Sequence, residues 1–205
     1  MEKDPDGIPA MEFDDAVRKR PGMYLGDTGR VGTARLIGSA VYILAMLTHA
    51  RRDNGPWYSH HAFLDVSLDG RTVTTVIDHH PDEAPDIAQR CAALTQNREN
   101  PRRDDGLGPR AFFGFADLPV LSALTEGLHI IRSIGDNRAQ TVLADPAPLA
   151  IKLAPGVKGA AIASRFEIRD QVDPRGLTLD FLEGFLEGRR MVGLVLRDIR
   201  VRHDT

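Results

Sequence analysis

The chain has 205 residues, of which 42% are hydrophobic and 27% are charged, and these values fit one globular domain. Its formal net charge of −3 provides no positive field to attract nucleic acid, so nucleic acid is not an expected partner. The single cysteine, Cys91, excludes an intramolecular disulfide and favours a reducing compartment. Neither a signal peptide nor an apolar run of about 20 residues is evident, which predicts a cytoplasmic protein without a membrane span.

The N-terminal part predicts an arm followed by two helices. Residues 1–11 are polar and contain two prolines, which is typical of a flexible arm. Glu12–Lys19 has the composition of a short helix, which Pro21 and Gly22 are expected to end. Gly32–Ala50 is the most apolar stretch of the chain, and its length favours a buried helix over a strand.

Turn residues between alternating segments predict two β-hairpins. The first pairs Ala62–Leu68 with Thr72–Ile77, and the second pairs His129–Ile134 with Ala139–Leu143. Apolar spacing predicts helices at Glu83–Thr95, Ala111–Thr125 and Leu177–Arg189, and strands at Leu149–Leu153, Ala160–Ile168 and Leu194–Val201. This order predicts an α+β fold for residues 12–205, a single domain in which a mixed, mostly antiparallel sheet carries helices on one face.

The segment Asp15–Gly29, DAVRKRPGMYLGDTG, is similar to the opening motif of the ATP-binding domain of the gyrase and topoisomerase IV B subunits. Weaker matches follow in the family's order: the helix from Gly32, the hairpin end Val76–Asp78, the stretch Val120–Glu126, and Lys158 before a strand. The resemblance implies the GHKL fold, with nucleotide held between the helices and a lid. Neither a transducer nor a DNA-gate module is expected in this sequence.

The resemblance also implies where hydrolysis needs its residues. In the family a glutamate activates water, and an asparagine one helical turn later holds Mg²⁺. Counted from the opening motif, these two positions fall on Ser39 and Ile43, and no Asp, Glu or Asn occurs between Val31 and Ala50. The sequence therefore predicts a pseudo-ATPase without ATP turnover, magnesium site or cofactor.

The lid and a later strand depart from the family as well. Phe113 adds bulk among the lid glycines, and Asp117 follows them where a negative charge would repel phosphate. The family has a threonine in the strand after Lys158, whereas this chain has Ala160 and Ala161. These changes indicate a former nucleotide cleft that has become more apolar.

Two functions remain open. In the first, the chain is a non-catalytic module that binds a small molecule or a protein partner in a pocket lined by Ser39, Ile43, Met46, Leu47, Asp78, Phe113 and Ala160. In the second, it is a repurposed small enzyme in which Asp78, with His79 or His80, serves as acid and base on a compact apolar substrate. Asp78 matches the family's adenine contact, or it caps a turn. Any homodimer is expected to form without nucleotide.

Overall fold

A computed structural model describes residues 12–48, 59–79, 118–134, 138–143, 160–188 and 194–203. This part of the chain contains five helices: α1 (Phe13–Lys19), α2 (Pro21–Leu25), α3 (Arg30–Thr48), α4 (Leu118–Leu124) and α5 (Leu179–Gly188). It also contains six strands: β1 (Ser59–Asp69), β2 (Thr72–His79), β3 (Thr125–Ile134), β4 (Arg138–Leu143), β5 (Ala160–Ile168) and β6 (Leu194–His203).

Helix α1 ends at Lys19, before Pro21, as the sequence predicts, and a further short helix that was not predicted, α2, begins at Pro21. Pro21 is the first residue of α2, a position that suits proline because the first turn of a helix leaves its N–H groups unbonded anyway. Gly26 ends α2 in the left-handed region with φ 74°, and its N–H donates to the carbonyl oxygen of Gly22 at 2.7 Å. A residue with a side chain rarely adopts this φ, so glycine suits the position.

The central helix α3 is buried along most of its length. Its 19 residues begin slightly before the predicted start, and every residue from Leu36 to Thr48 is buried. By length and composition alone α3 could cross a membrane, so the expectation that no segment is long and apolar enough was wrong. In the structure, however, 83% of its apolar window is buried inside the fold, which is the burial of a core helix.

The strands form one six-stranded sheet in the order β4-β3-β5-β2-β1-β6. β1 pairs with β6 in parallel, and the other neighbours are antiparallel. The five described helices share one apolar cluster with one face of this sheet. We call this the helix-covered face, and we call the opposite face, against which none of the described helices packs, the helix-free face. The predicted two-layer α+β fold with a mixed, mostly antiparallel sheet is confirmed.

Several predicted boundaries shift, and some predictions cannot be compared. The strand predicted from His129 already begins at Thr125, directly after α4, so the predicted helix ends one residue too late. Pro119 lies in the first turn of α4, where proline is tolerated. The following predicted features lie outside the described residues: the arm 1–11, Cys91, the helix Glu83–Thr95, the first part of the helix from Ala111 to Asp117, and the strand Leu149–Leu153.

Candidate functional site

The turn before α3 is held by one carboxylate. Asp27 Oδ2 accepts hydrogen bonds from the N–H groups of Gly29 at 3.2 Å and Gly32 at 3.1 Å. The bonds from Gly32 and Gly29 lower the pKa of Asp27 below its usual range, because they favour the charged carboxylate. A Cβ atom built on Gly32 would overlap the carbonyl oxygen of Asp27. The motif therefore builds a tight helix start.

Basic side chains of the same region also contact backbone carbonyls. Arg35 Nη1 donates to the carbonyl oxygen of Leu25, and a Cβ atom on Gly26 would overlap this guanidinium. Arg18 Nε donates to the carbonyl oxygen of Ala123 at 3.2 Å, which joins α1 to α4. These contacts assign Arg18 and Arg35 to the packing of the helices.

Ser39 and Ile43, the two positions at which the sequence resemblance places hydrolytic residues, lie in the core. Ser39 is 0% exposed, and its hydroxyl donates to the carbonyl oxygen of Arg35 at 2.7 Å within α3. Ile43 is 3% exposed. Met46 and Leu47 are buried too, and with Ile43 they belong to the apolar cluster of the helix-covered face. These four predicted pocket residues are thus packed into the interior.

Asp78 lies on the helix-free face of the sheet. The preceding residue, Ile77, is fully buried in the cluster that includes α3, whereas Val76 and Ala161 form a separate cluster on the opposite face. Asp78 pairs in register with Ala161, and its Oδ1 accepts a hydrogen bond from the N–H of Phe63 at 3.0 Å. The structure therefore does not bring Asp78 together with the predicted pocket residues of α3.

The remaining predicted residues lie near the end of β2 or outside the described residues. His79 is the last residue of β2 and pairs in register with Ala160, the first residue of β5. Backbone pairing thus brings positions 78, 79 and 160 to the same end of the sheet. His80 and Phe113 fall outside the described ranges. Among the residues that the structure describes, no group of three His, Cys, Asp or Glu side chains could hold a metal ion.

Sequence reasoning missed several buried polar groups in the sheet. Thr75 and Ser164 face each other across β2 and β5, and their hydroxyl oxygens lie 2.7 Å apart. Arg132 is buried on β3, and desolvation lowers the pKa of its guanidinium. His129 on β3 is 1% exposed, and its Nδ1 has no hydrogen-bond partner. Successive side chains of a strand point to opposite faces. The spacing of three residues between His129 and Arg132 in the predicted strand could therefore have placed them on opposite faces.

The architecture resembles solved structures of gyrase. The B subunit of DNA gyrase from Myxococcus xanthus superposes with a TM-score of 0.52 at 17% identity, over 86% of this chain and 48% of that chain. This chain therefore spans about half of that gyrase subunit. The topoisomerase IV ATP-binding domain of Francisella tularensis, in complex with a small-molecule inhibitor, gives a TM-score of 0.46 at 14% identity, over 90% of this chain and 89% of that chain.

A third structure is the 43K ATPase domain of Thermus thermophilus gyrase B in complex with an aminocoumarin. It gives a TM-score of 0.45 at 17% identity, over 91% of this chain and 49% of that chain. No protein-family model matches the sequence, and no curated protein matches it either. The similarity to the Myxococcus xanthus structure therefore confirms the gyrase B-like fold that the opening motif predicted.

Proposed function

We propose that this chain is a gyrase B-like domain that does not hydrolyse ATP and acts as a binding or regulatory module for a small molecule or a protein partner. One observation carries the proposal. Ser39 and Ile43, which occupy the positions of the family's base and magnesium ligand, are 0% and 3% exposed in the core. Hydrolysis needs a carboxylate that reaches water and oxygen ligands that hold magnesium against the phosphates. Neither residue supplies such a group to solvent.

The packing of α3 supports the same proposal. All of its residues from Leu36 to Thr48 are buried, and its apolar side chains share a cluster with Ile77 and Ile162 of the sheet. Interiors are close-packed, so a helix buried in this way does not rotate to expose a different face without breaking the core. Other residues of α3 therefore do not replace the missing catalytic pair.

The alternative function, an enzyme that uses Asp78 with His79 or His80, is less well supported. The Asp78 carboxylate accepts the backbone N–H of Phe63 across the end of the β1–β2 hairpin. A side chain that satisfies a backbone donor at a strand end stabilises that strand end. This contact favours the structural role of Asp78 over a role as acid or base.

The test is hydrolysis and binding of ATP by the purified full chain. We expect no magnesium-dependent phosphate release above buffer, and no heat of binding that depends on magnesium when Mg·ATP is titrated by calorimetry. Asp78→Asn is the variant for the structural role of this carboxylate, because the hydrogen bond from Phe63 predicts that the change lowers the free energy of unfolding. Magnesium-dependent ATP turnover would overturn the proposal if its rate stays proportional to the concentration of this protein after two different purification routes.

A further inference from the structure

The helix-free face carries a row of polar residues that crosses five strands. The strand register places one residue of each strand beside the next: Arg202 of β6, Ser67 of β1, Thr74 of β2, Arg165 of β5 and His129 of β3. Neighbouring strands lie about 4.8 Å apart, so the row is about 19 Å long. The residues that flank His129 in sequence, Leu128 and Ile130, belong to the cluster of the opposite face.

The two ends of this row differ in how their polar atoms are bonded. At one end Arg202 Nε lies 3.2 Å from Oδ1 of Asp65, so that guanidinium has a carboxylate partner. At the other end His129 is 1% exposed, and its Nδ1 has no partner. The Nε of Arg165, directly opposite His129 in register, is buried and has no partner either.

Buried nitrogen atoms without partners are rare, because they lose water and gain nothing in return. The Nε–H of arginine is always a donor, and Nδ1 of histidine donates when it carries a proton. Residues opposite each other on antiparallel strands have Cβ atoms about 5 Å apart, so one group with two acceptor oxygens can serve both nitrogens. A carboxylate and a phosphate are such groups.

We infer that His129 and Arg165 form a binding site for one oxyanion, the carboxylate or phosphate group of a small molecule, on the helix-free face. Thr74, the neighbour of Arg165 in the row, adds a hydroxyl beside the site. The neighbouring positions limit the size of the anion. Glu126 and Glu167 pair in register on the same face further along β3 and β5; Glu126 is ion-paired with Arg169, whereas the exposed Glu167 repels a second negative group there. The site therefore fits a single oxyanion and not a polyanion.

This site is independent of the proposed function, since it lies on the opposite face of the sheet from α3. The experiment titrates the full chain with inorganic phosphate in one arm and with acetate in the other. Ionic strength is held constant with chloride, because screening alone changes exposed charges. Binding is followed by calorimetry and by the ring nitrogen signals of His129, which are assigned by their loss in His129→Gln.

We expect saturable binding of at least one probe at millimolar concentration, together with a shift of the His129 ring signals. The arm that saturates tells whether phosphate or carboxylate is the preferred group. Arg165→Gln is expected to weaken binding about tenfold or more, as the loss of a charge-assisted hydrogen bond does. Arg165→Lys keeps the charge but removes the Nε–H, and it should weaken binding as well.

Arg197→Gln is the matched control, because Arg197 is an exposed arginine of the edge strand β6 outside the row. This variant is expected to bind like the wild type. If an Arg165 variant does not fold, the titration of the His129 ring signals in the wild type still decides whether the anion binds at this site. The inference is overturned if neither probe moves those signals beyond chloride, or if a folded Arg165→Gln binds as tightly as the wild type.

Discussion

The start and the middle of α3 are built in opposite ways. At the start, Asp27 accepts two backbone N–H groups and Gly32 leaves room for a carbonyl oxygen, so polar atoms and a missing side chain fix the geometry. In the middle, Ser39 and Ile43 are buried, and no Asp, Glu or Asn occurs there. The segment with the strongest resemblance is thus the one that shapes the backbone, and the motif here indicates a shared fold.

The largest effect is expected from placing an asparagine at position 43, in the middle of the helix. Ile43→Asn removes apolar volume from a side chain that is 3% exposed and places an amide there without partners. We expect a loss of roughly 4 kcal/mol of unfolding free energy, measured by urea denaturation. The conservative Ile43→Val should cost only about 1 kcal/mol. An asparagine variant as stable as the wild type would show that this face of α3 lines an open cleft and that the middle of the helix is not a packed core.

At the start of the helix, a single methyl group should have the next largest effect. Gly32→Ala introduces a Cβ that overlaps the carbonyl oxygen of Asp27, which is backbone and cannot move aside easily. We expect a loss of about 3 kcal/mol in the same denaturation experiment. Gly184→Ala in α5 is the matched control, because nothing lies within 4 Å of its Cβ position.

The control is expected to stabilise the protein by about 0.5–1 kcal/mol, since alanine is the better helix former. Opposite signs for the two glycine variants would confirm that sterics fix the start of α3. Equal effects would contradict it.

The sequence predicts the first hairpin better than it predicts the start of β3. The first hairpin was predictable because Asp69-Gly70 is a turn signal between alternating segments; in the structure the turn residues are Gly70, which has φ 59°, and Arg71. The start of β3 was not, because Thr125 follows α4 without a turn residue between them. The fold was therefore predictable in its elements but not in this boundary.

The candidate site was harder to predict for a physical reason. Val76 and Ile77 are both apolar, so alternation in β2 does not reveal which face the helices cover, and the face of Asp78 stays undetermined. The pairing of His129 with Arg165 depends on β5 lying beside β3, which is a long-range contact. Sequence spacing carries no information on either point.

The hydroxyl pair of Thr75 and Ser164 in the sheet should contribute less to stability than the middle or the start of α3. Thr75→Val removes one hydroxyl of the pair and leaves that of Ser164, which is 1% exposed, without this partner. We expect a loss of about 1–2 kcal/mol. The double variant Thr75→Val with Ser164→Ala should be close to the wild type, because both polar groups are gone. A double-mutant cycle measures the coupling, and additive losses would indicate that the two hydroxyls act separately.

The smallest effect at neutral pH is expected from Asp27→Asn, which keeps an acceptor oxygen but removes the charge. The pKa of Asp27 lies below the ordinary 3.8 because of the hydrogen bonds from Gly32 and Gly29. A carboxyl whose pKa is lower in the folded chain stabilises the fold above its unfolded pKa. That contribution is lost as the pH falls below 3.8 and through the folded pKa.

The urea midpoint of the wild type should therefore fall more steeply below pH 4 than that of Asp27→Asn, and the two should converge in acid. Asp27 is not the only carboxyl that makes stability depend on pH in acid, because hydrogen bonds and charge from Arg175 lower the pKa of Asp173 as well. Asp170→Asn is the control, since its side chain is 97% exposed and its ion pair with Arg71, at 3.6 Å, is a surface pair that contributes little to stability. If Asp27→Asn keeps the full acid dependence of the wild type, as the control Asp170→Asn should, the charge of Asp27 does not stabilise the start of α3. In that case the neutral acceptor alone fixes the turn, and the polar half of the comparison rests on geometry instead of charge.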